Sequence, residues 1–258
     1  GSEMCIRDSG TIKRGNNYKD ELFLVPDDAS LTLDSVTIDG GAVYAEADSS
    51  IGQQTTVGFK SYGEGAVTGV TANDSLIRVD GGALTIDNEA TLTNNYLEKE
   101  SSNYTEGSAG KSYGAGVGVI NGGSFVMNGG TITRQVASSG SAVYVGEGCS
   151  FKMNGGKITK NFAGYGTGGT AAVRVYSATF TMTGGEISYN ASHNNTALAL
   201  QGDNTSFDMT GGQICNNYGA GSNYGTIMAT AGNGIKVNLM GGSIPVSYTH
   251  LRAHETKA

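Results

Sequence analysis

Apolar residues in this chain recur in a fixed phrase rather than at helical spacing. Phe151-Lys152-Met153-Asn154-Gly155-Gly156-Lys157-Ile158 reads aromatic-x-Met-x-Gly-Gly-x-Ile, and the phrase returns at Phe125 to Ile132, Phe180 to Ile187 and Phe207 to Ile214. A weakened copy runs from Val237 to Ile244, with Val and Leu in place of Phe and Met. Successive copies start 26, 29, 27 and 30 residues apart. A period of this size, with the variation confined between phrases, means stacked copies of one small unit.

Each unit carries three short alternating segments. The first is Val117-Gly118-Val119, Val143-Tyr144-Val145, Val173-Arg174-Val175, Leu198-Ala199-Leu200 and Ile227-Met228-Ala229; the second is the Phe-x-Met triplet; the third centres on the Ile. Period-two alternation predicts strands with one buried face. Each is too short to stand as an isolated hairpin. Asn128-Gly129 and Asn154-Gly155 would suit a two-residue hairpin turn, but the other copies read Thr183-Gly184 and Thr210-Gly211. Three strands within one repeat make a closed turn instead. The predicted fold is all-β, a parallel β-helix of about seven or eight coils with three short strands per coil, each pairing with its counterpart one repeat away.

Stacked coils set like residues above one another at about 4.8 Å, so the rod would be roughly 35 to 40 Å long. Phe125, Phe151, Phe180 and Phe207 are then one buried ladder, Met127, Met153, Met182 and Met209 a second, and Ile132, Ile158, Ile187 and Ile214 a third. The Gly-Gly pair supplies the corner, because a residue without Cβ takes positive φ and turns the chain sharply. Three residues past each Ile stands an amide: Gln135, Asn161, Asn190 and Asn217, with Asn95 in the corresponding place after Leu92. Asn tolerates the left-handed conformation and stacked amides hydrogen-bond along an axis. These amides are expected to be structural.

Upstream the pattern is weaker. Leu31, Leu33 and Ile38 reproduce the offsets of the later phrase, and Leu84, Ile86 and Leu92 do so with a one-residue shift. Residues 40–76 are irregular, and one degenerate unit, with Ile51 or Val57 turned inward, is the expectation there. Residues 94–116 read as a polar, solvated insertion bearing Tyr96, Tyr104 and Tyr113. The two ends fit no repeat. Residues 1–9, containing Glu3-Met4-Cys5-Ile6-Arg7-Asp8-Ser9, and residues 246–258 look like translations of sequencing-adapter DNA joined to a metagenomic contig. Both are set aside as non-native tails. The domain is then 10–245, a fragment open at both ends.

Composition narrows the function classes. With 42 Gly, 2 Pro and no Trp in 258 residues, the core has to be thin and close-packed. A formal net charge of −7 argues against nucleic acid, whose phosphates select basic surfaces, and against anionic membranes. No apolar run reaches the roughly 18 residues of a spanning helix, so no membrane insertion is expected of this stretch. Cys149 and Cys215 fall at different positions of non-adjacent units and read as free core thiols, while Cys5 lies in the first tail. His250 and His254 lie in the last tail, which leaves His193 alone, too few for a His-based metal site. No metal and no cofactor are expected.

The Gly-Gly-x-Ile-x-x-Asn and Gly-Gly-Ala-Val phrases resemble the right-handed parallel β-helix repeats of bacterial surface proteins within the pectate-lyase-like superfamily. They are also similar to the short Gly-Gly-Ala and Phe-x-x-Asn repeats of polymorphic outer-membrane adhesins. The resemblance covers Gly10 to about Ile244. It implies a right-handed coil, in keeping with the general crossover rule, and secretion to a bacterial cell surface. For activity it is divided, because the superfamily holds lyases, hydrolases and non-catalytic adhesins.

Galacturonan hydrolases of that superfamily carry paired aspartates with Asn-Thr-Asp, Gly-His-Gly and Arg-x-Lys signatures, and none occurs here. Its lyases use acidic calcium ligands and a basic residue. Asp34, Asp39, Asp80, Asp87, Asp203 and Asp208 read as scattered over unrelated repeat positions. Glu147, Lys152, Lys157, Lys160, Arg174 and Glu186 alternate with core residues or sit beside them, where solvated faces are expected. No catalytic residue is assigned. Binding has more support. Variable loops follow the amides at 136–140, 162–170, 191–196 and 218–225, and coils that end at one azimuth would set them along one edge. They are rich in Gly, Ser, Asn and Tyr, a composition suited to adaptable recognition. Tyr165, Tyr189, Asn194, Tyr218 and Tyr224 are the candidate ligand contacts. The expectation is a non-catalytic adhesin or display rod whose partners are glycans or surface proteins. The alternative is a polysaccharide lyase or glycoside hydrolase.

Overall fold

The computed structural model describes residues 2–7, 9–46, 57–60, 65–97, 113–164, 172–192, 197–219 and 226–245. These form an all-β parallel solenoid of about seven turns. Three sheets run its length, each taking one strand from successive turns. The aromatic sheet has eight strands, from Ser2–Arg7 through Ala29–Asp34, Ala83–Asp87, Ser124–Met127, Ser150–Met153, Thr179–Met182 and Ser206–Met209 to Lys236–Leu239. The isoleucine sheet has seven, from Thr11–Lys13 to Gln213–Cys215, and the valine sheet has seven, from Phe23–Pro26 to Ile227–Thr230.

Register follows from repetition. Phe125 lies opposite Phe151, Phe151 opposite Phe180 and Phe180 opposite Phe207. Their rings stack at centroid separations of 4.6, 4.7 and 4.9 Å. The Met ladder lies two residues on in the same strands, and Ile132, Ile158, Ile187 and Ile214 pair in the isoleucine sheet. All of these side chains are buried. A one-residue slip would turn every one of them outward, forfeiting roughly 1.5–3 kcal/mol of burial per side chain, so the register is strongly specified.

The Gly-Gly corner needs both of its residues, for different reasons. Gly156 has φ of 80°, in the left-handed region. A Cβ on Gly155 would collide with the carbonyl oxygen of Asn128 in the turn below. In the Leu84 turn the corner is instead Asn88-Glu89-Ala90, one residue longer, with Asn88 at φ of 41°. Leu92 still falls opposite both Ile38 and Ile132.

The structure corrects the expected unit in two places. A fourth, two-residue ladder joins Val136–Ala137, Phe162–Ala163, Ala191–Ser192 and Tyr218–Gly219, so each segment read as a loop begins with a strand. Bridges of Tyr96 with Val136 and Ala72 with Leu97 extend this ladder upstream. The described residues of 40–76 add no turn to the stack, because the turn holding Leu31 and Ile38 stacks directly on the turn holding Leu84 and Leu92. The chain leaves after Gly41 in an antiparallel excursion, with Ala42–Tyr44 paired to Val67–Gly69 and Glu46 bridged to Phe59. Val57 is buried, but in a satellite cluster with Tyr44, Phe59, Tyr96, Val136 and Phe162 rather than in the main core. Ile51 lies outside the described residues. Finally, Ser2–Arg7, which fits no repeat in sequence, pairs with Ala29–Asp34, setting Met4 against Leu31 and Ile6 against Leu33. Residues 246–258 lie outside the described ones.

Candidate functional site

One corner of the solenoid concentrates its unusual features. It joins the isoleucine sheet to the two-residue ladder. The inner column of this corner is the amide series. The Oδ1 of Asn190 accepts from the backbone N–H of Asn161 at 3.0 Å and from its Nδ2 at 2.9 Å. The Asn190 Nδ2 donates in turn to the Ile158 carbonyl and to the Asn217 Oδ1, each at 2.9 Å. Asn161 and Asn217 repeat the contact with the carbonyls of Ile132 and Ile187. Asn190 and Asn217 therefore accept the backbone N–H that the bend leaves unpaired one turn away, and each Asn adds a second donor to a buried carbonyl of the isoleucine sheet. Gln135 is one methylene too long. It folds back to the Thr133 carbonyl and joins the column only through its backbone N–H, which donates to Asn161.

The column ends differently at Asn95. Its Nδ2 donates to the carbonyls of Asp74 and Ala115, and its Oδ1 accepts from Arg14 at 3.2 Å. In the next turn the amide position is Gly41, and the buried Arg14 guanidinium fills the gap, bonding also to the Asp20 carbonyl. Burial pulls the Arg14 pKa below its ordinary value. It pushes the Asp74 carboxyl up, against the opposing hydrogen bond from Ser75 N–H and the charge of Arg78.

The outer column of the corner lies two residues past each core Ile or Leu. Asn94, Arg134, Lys160, Tyr189 and Asn216 all hold φ between 53° and 56° there. Asn adopts this conformation readily, but for long or bulky residues it is strained by about 1 kcal/mol or more. The bend requires it, and it aims all five side chains out of the same edge. Arg134 has an evident compensation. Its guanidinium lies 5.3 Å from the Tyr44 ring centroid and 4.9 Å from that of Phe59, and its Nε donates to Asn94 at 2.9 Å. The Tyr44 hydroxyl, from the excursion, donates to the Arg134 carbonyl at 3.1 Å. Burial pushes that phenol well above its ordinary pKa, with Arg134 opposing. Lys160 and Tyr189 are exposed, and no side-chain hydrogen bond or ion pair holds either among the described residues.

Of the predicted contacts, Tyr189 therefore stands on this edge, 45% exposed. Tyr218 sits half-buried in the two-residue ladder beside Ala191, packed against the satellite cluster. Tyr165, Asn194 and Tyr224 lie outside the described residues. The amide and outer columns flank one another, so Tyr189 and Tyr218 border the same strip, together with Lys160 and Asn216. Sequence reasoning missed Arg134, Tyr44 and Phe59. The two Asn residues of the outer column carried the only readable signal of its left-handed backbone.

Two further expectations change. Arg174 is not on a solvated face. It is buried, with its guanidinium 4.6 Å from the Tyr113 ring, which stacks on Tyr144, and with Nη1 donating to the Ser139 hydroxyl at 3.3 Å. The outer side of the valine sheet is covered here, so alternation does not separate core from solvent. Asp34 and Asp87 are not at unrelated positions but direct cross-strand neighbours. Each carboxylate accepts from an amide one turn on, Asn88 for Asp34 and Asn128 for Asp87, both at 2.8 Å. Exposed polar ladders of this kind use up the carboxylates. Among the described residues, no group of three His, Cys, Asp or Glu is arranged to hold a metal ion.

An apolar cleft of about 300 Å³ opens where the aromatic sheet runs one strand beyond the valine sheet, lined by Met4, Phe23, Leu24, Val25 and Leu31. It lies at the end of the stack, far from the corner strip in sequence and turn.

Fold and strip together define a parallel β-solenoid with one decorated edge. Comparison with protein-family models, with curated proteins and with solved structures gave no match.

Proposed function

We propose that this chain is a non-catalytic adhesion and display rod that makes its contacts along the corner strip. The carrying observation is the pair Lys160 and Tyr189, held in strained left-handed conformations and exposed without a side-chain partner among the described residues. The bend imposes the left-handed backbone on the whole column, and a long cation and an aromatic ring at positions that Asn or Gly would fill without strain support a role in external contact. The three buried ladders beneath supply rigidity, because identical side chains in register leave the backbone no alternative seat. The resemblance to right-handed β-helix repeats of bacterial surface proteins supports an extracellular, cell-surface setting. It also supplies the competing reading, a polysaccharide lyase or glycoside hydrolase.

The test is binding and turnover measured together on the 258-residue chain. A glycan array and adhesion to immobilised cells report binding, while unsaturated-product absorbance on pectin and alginate reports lyase activity. Saturable binding without turnover, weakened by Tyr189→Ala, is the expected result. Turnover abolished by a calcium chelator would replace the adhesion reading with a lyase.

A further inference from the structure

The seam between the Leu92 turn and the Ile132 turn is held differently from the seams after it. Later in the stack each buried Asn accepts the backbone N–H of the amide position one turn earlier. At this seam Gln135 would have to do the same for Asn95. Instead its Nε2 donates to the Thr133 carbonyl, its Oε1 is buried without a partner, and the Asn95 N–H has no acceptor among the described residues. Ring stacking starts too late to help, because Phe125 faces Leu84 here. The excursion lies across this same seam. The Tyr44 hydroxyl stands 3.3 Å from the Asn95 carbonyl on one side and 3.1 Å from the Arg134 carbonyl on the other, sharing its proton between them. Tyr44 and Phe59, ring centroids 4.5 Å apart, cover the Arg134 guanidinium, which itself reaches back over the seam to Asn94. One and two turns on, where the amides pair with each other, Lys160 and Tyr189 hold the same backbone conformation and stay exposed.

We propose that the excursion is a conformational brace: it holds shut the weakest seam of the solenoid, the one at which Gln135 interrupts the amide column, and the stack opens there first when the brace is withdrawn. A buried N–H and a buried side-chain oxygen without partners each carry a desolvation cost that entering water removes. This seam therefore gains on opening where the seams with a whole column lose. The brace stands in for the missing amide contact, since Tyr44 and Arg134 tie the same two turns at the same bend, from outside rather than inside. In a stack each turn touches only its neighbours, so one weak interface sets where the stack parts. Such local opening is drawn from the least stable unit. Released, one rigid rod becomes two bodies, the first ending with the Leu92 turn and the second beginning with the Ile132 turn. The inference stands apart from the adhesion reading and holds for a rod of any function.

Hydrogen exchange of the 258-residue chain, resolved to single amides by fragmentation in the mass spectrometer, reads each seam through the N–H groups that cross it. Val136 donates to Asn95 and Thr131 to Ala90 across the braced seam, while Phe162 to Gln135 and Lys157 to Gly130 are the same bonds one turn on. Tyr44→Ala should speed exchange at Val136 and Thr131 about 3- to 30-fold, the scale of one desolvated cation–aromatic contact, and leave Phe162 and Lys157 unchanged. Gln135→Asn completes the column, so it should slow exchange of the Asn95 N–H about 3- to 10-fold and offset the effect of Tyr44→Ala. Tyr44→Phe keeps the ring and removes the hydroxyl alone. It should give the same pattern at smaller amplitude, and it carries the test should Tyr44→Ala fail to fold. Faster exchange spread evenly over all turns, or none at Val136, overturns the inference. So does a Gln135→Asn chain whose Asn95 N–H exchanges as before, or in which Tyr44→Ala still acts in full.

Discussion

Asn190→Ala isolates what the amide column contributes. The substitution removes an acceptor from the backbone N–H of Asn161 and a donor from the carbonyl of Ile158, both buried. Asn161 Nδ2 loses its contact with Asn190 but keeps the Ile132 carbonyl, and the Asn190 N–H keeps Asn217. The Asn161 N–H is left orphaned, while the Ile158 carbonyl loses a second donor and keeps its ladder bond from Ser188 N–H. At about 1–3 kcal/mol for one orphaned buried group, the loss is about 1–3 kcal/mol. Asn190→Asp should cost at least as much at neutral pH, because a carboxylate cannot donate to Ile158 and would face the Asn217 oxygen as a buried charge. Equilibrium urea unfolding followed by far-ultraviolet circular dichroism gives the number, with an unchanged m-value confirming that the same surface is exposed. A loss of under about 1 kcal/mol for Asn190→Ala would show that water or a local shift satisfies these groups, and would refute the column as a stabilising element.

Tyr189→Gly relieves left-handed strain of about 1–3 kcal/mol against about 0.4–1 kcal/mol of added unfolded-state entropy, so it should leave the chain unchanged to about 2 kcal/mol more stable. Arg134→Gly should not, since it also forfeits the contact with Tyr44 and Phe59; the same urea midpoints decide both. Phe180→Ala, with stacked neighbours at 4.7 and 4.9 Å, should cost about 3–5 kcal/mol in that assay. Thiol titration with Ellman's reagent should count one fast group, exposed Cys5, and all three only after denaturation, because Cys149 and Cys215 are buried and burial pushes their thiols up. Asp74 has a folded-state pKa raised by burial, so the folded state holds this proton more tightly than the unfolded one. Its contribution to stability therefore falls as pH rises from the unfolded value, about 3.9, through the raised folded value. In thermal melts, the stability of Asp74→Asn relative to the unaltered chain should climb across that window and level off above it.

The repeat was legible because it is written in identical residues. Phe125, Met127 and Ile132 predict their own partners one period on, since like side chains stack without steric conflict and Gly-Gly marks each corner. Parallel coiling, the three ladders and the amide series all follow from that local redundancy. The corner strip was only half legible. Asn94 and Asn216 suit a left-handed backbone, but Arg134, Lys160 and Tyr189 do not, and only their spacing from the core Ile betrays the shared conformation.

What the sequence by itself determined is thus the periodic part of this molecule: strand class, register and buried ladders. There each residue's environment is another copy of itself, one turn away. What only the tertiary structure decided is where non-repeating segments land. Tyr44 and Phe59 meet Arg134 across 90 and 75 positions of chain, Arg14 crosses 81 to cap Asn95, and Arg174 disappears behind Tyr113. Such contacts have no period to announce them. They form because the rigid coil fixes a cation or an open amide at a set azimuth, and a passing loop gains more by covering it than by remaining in water.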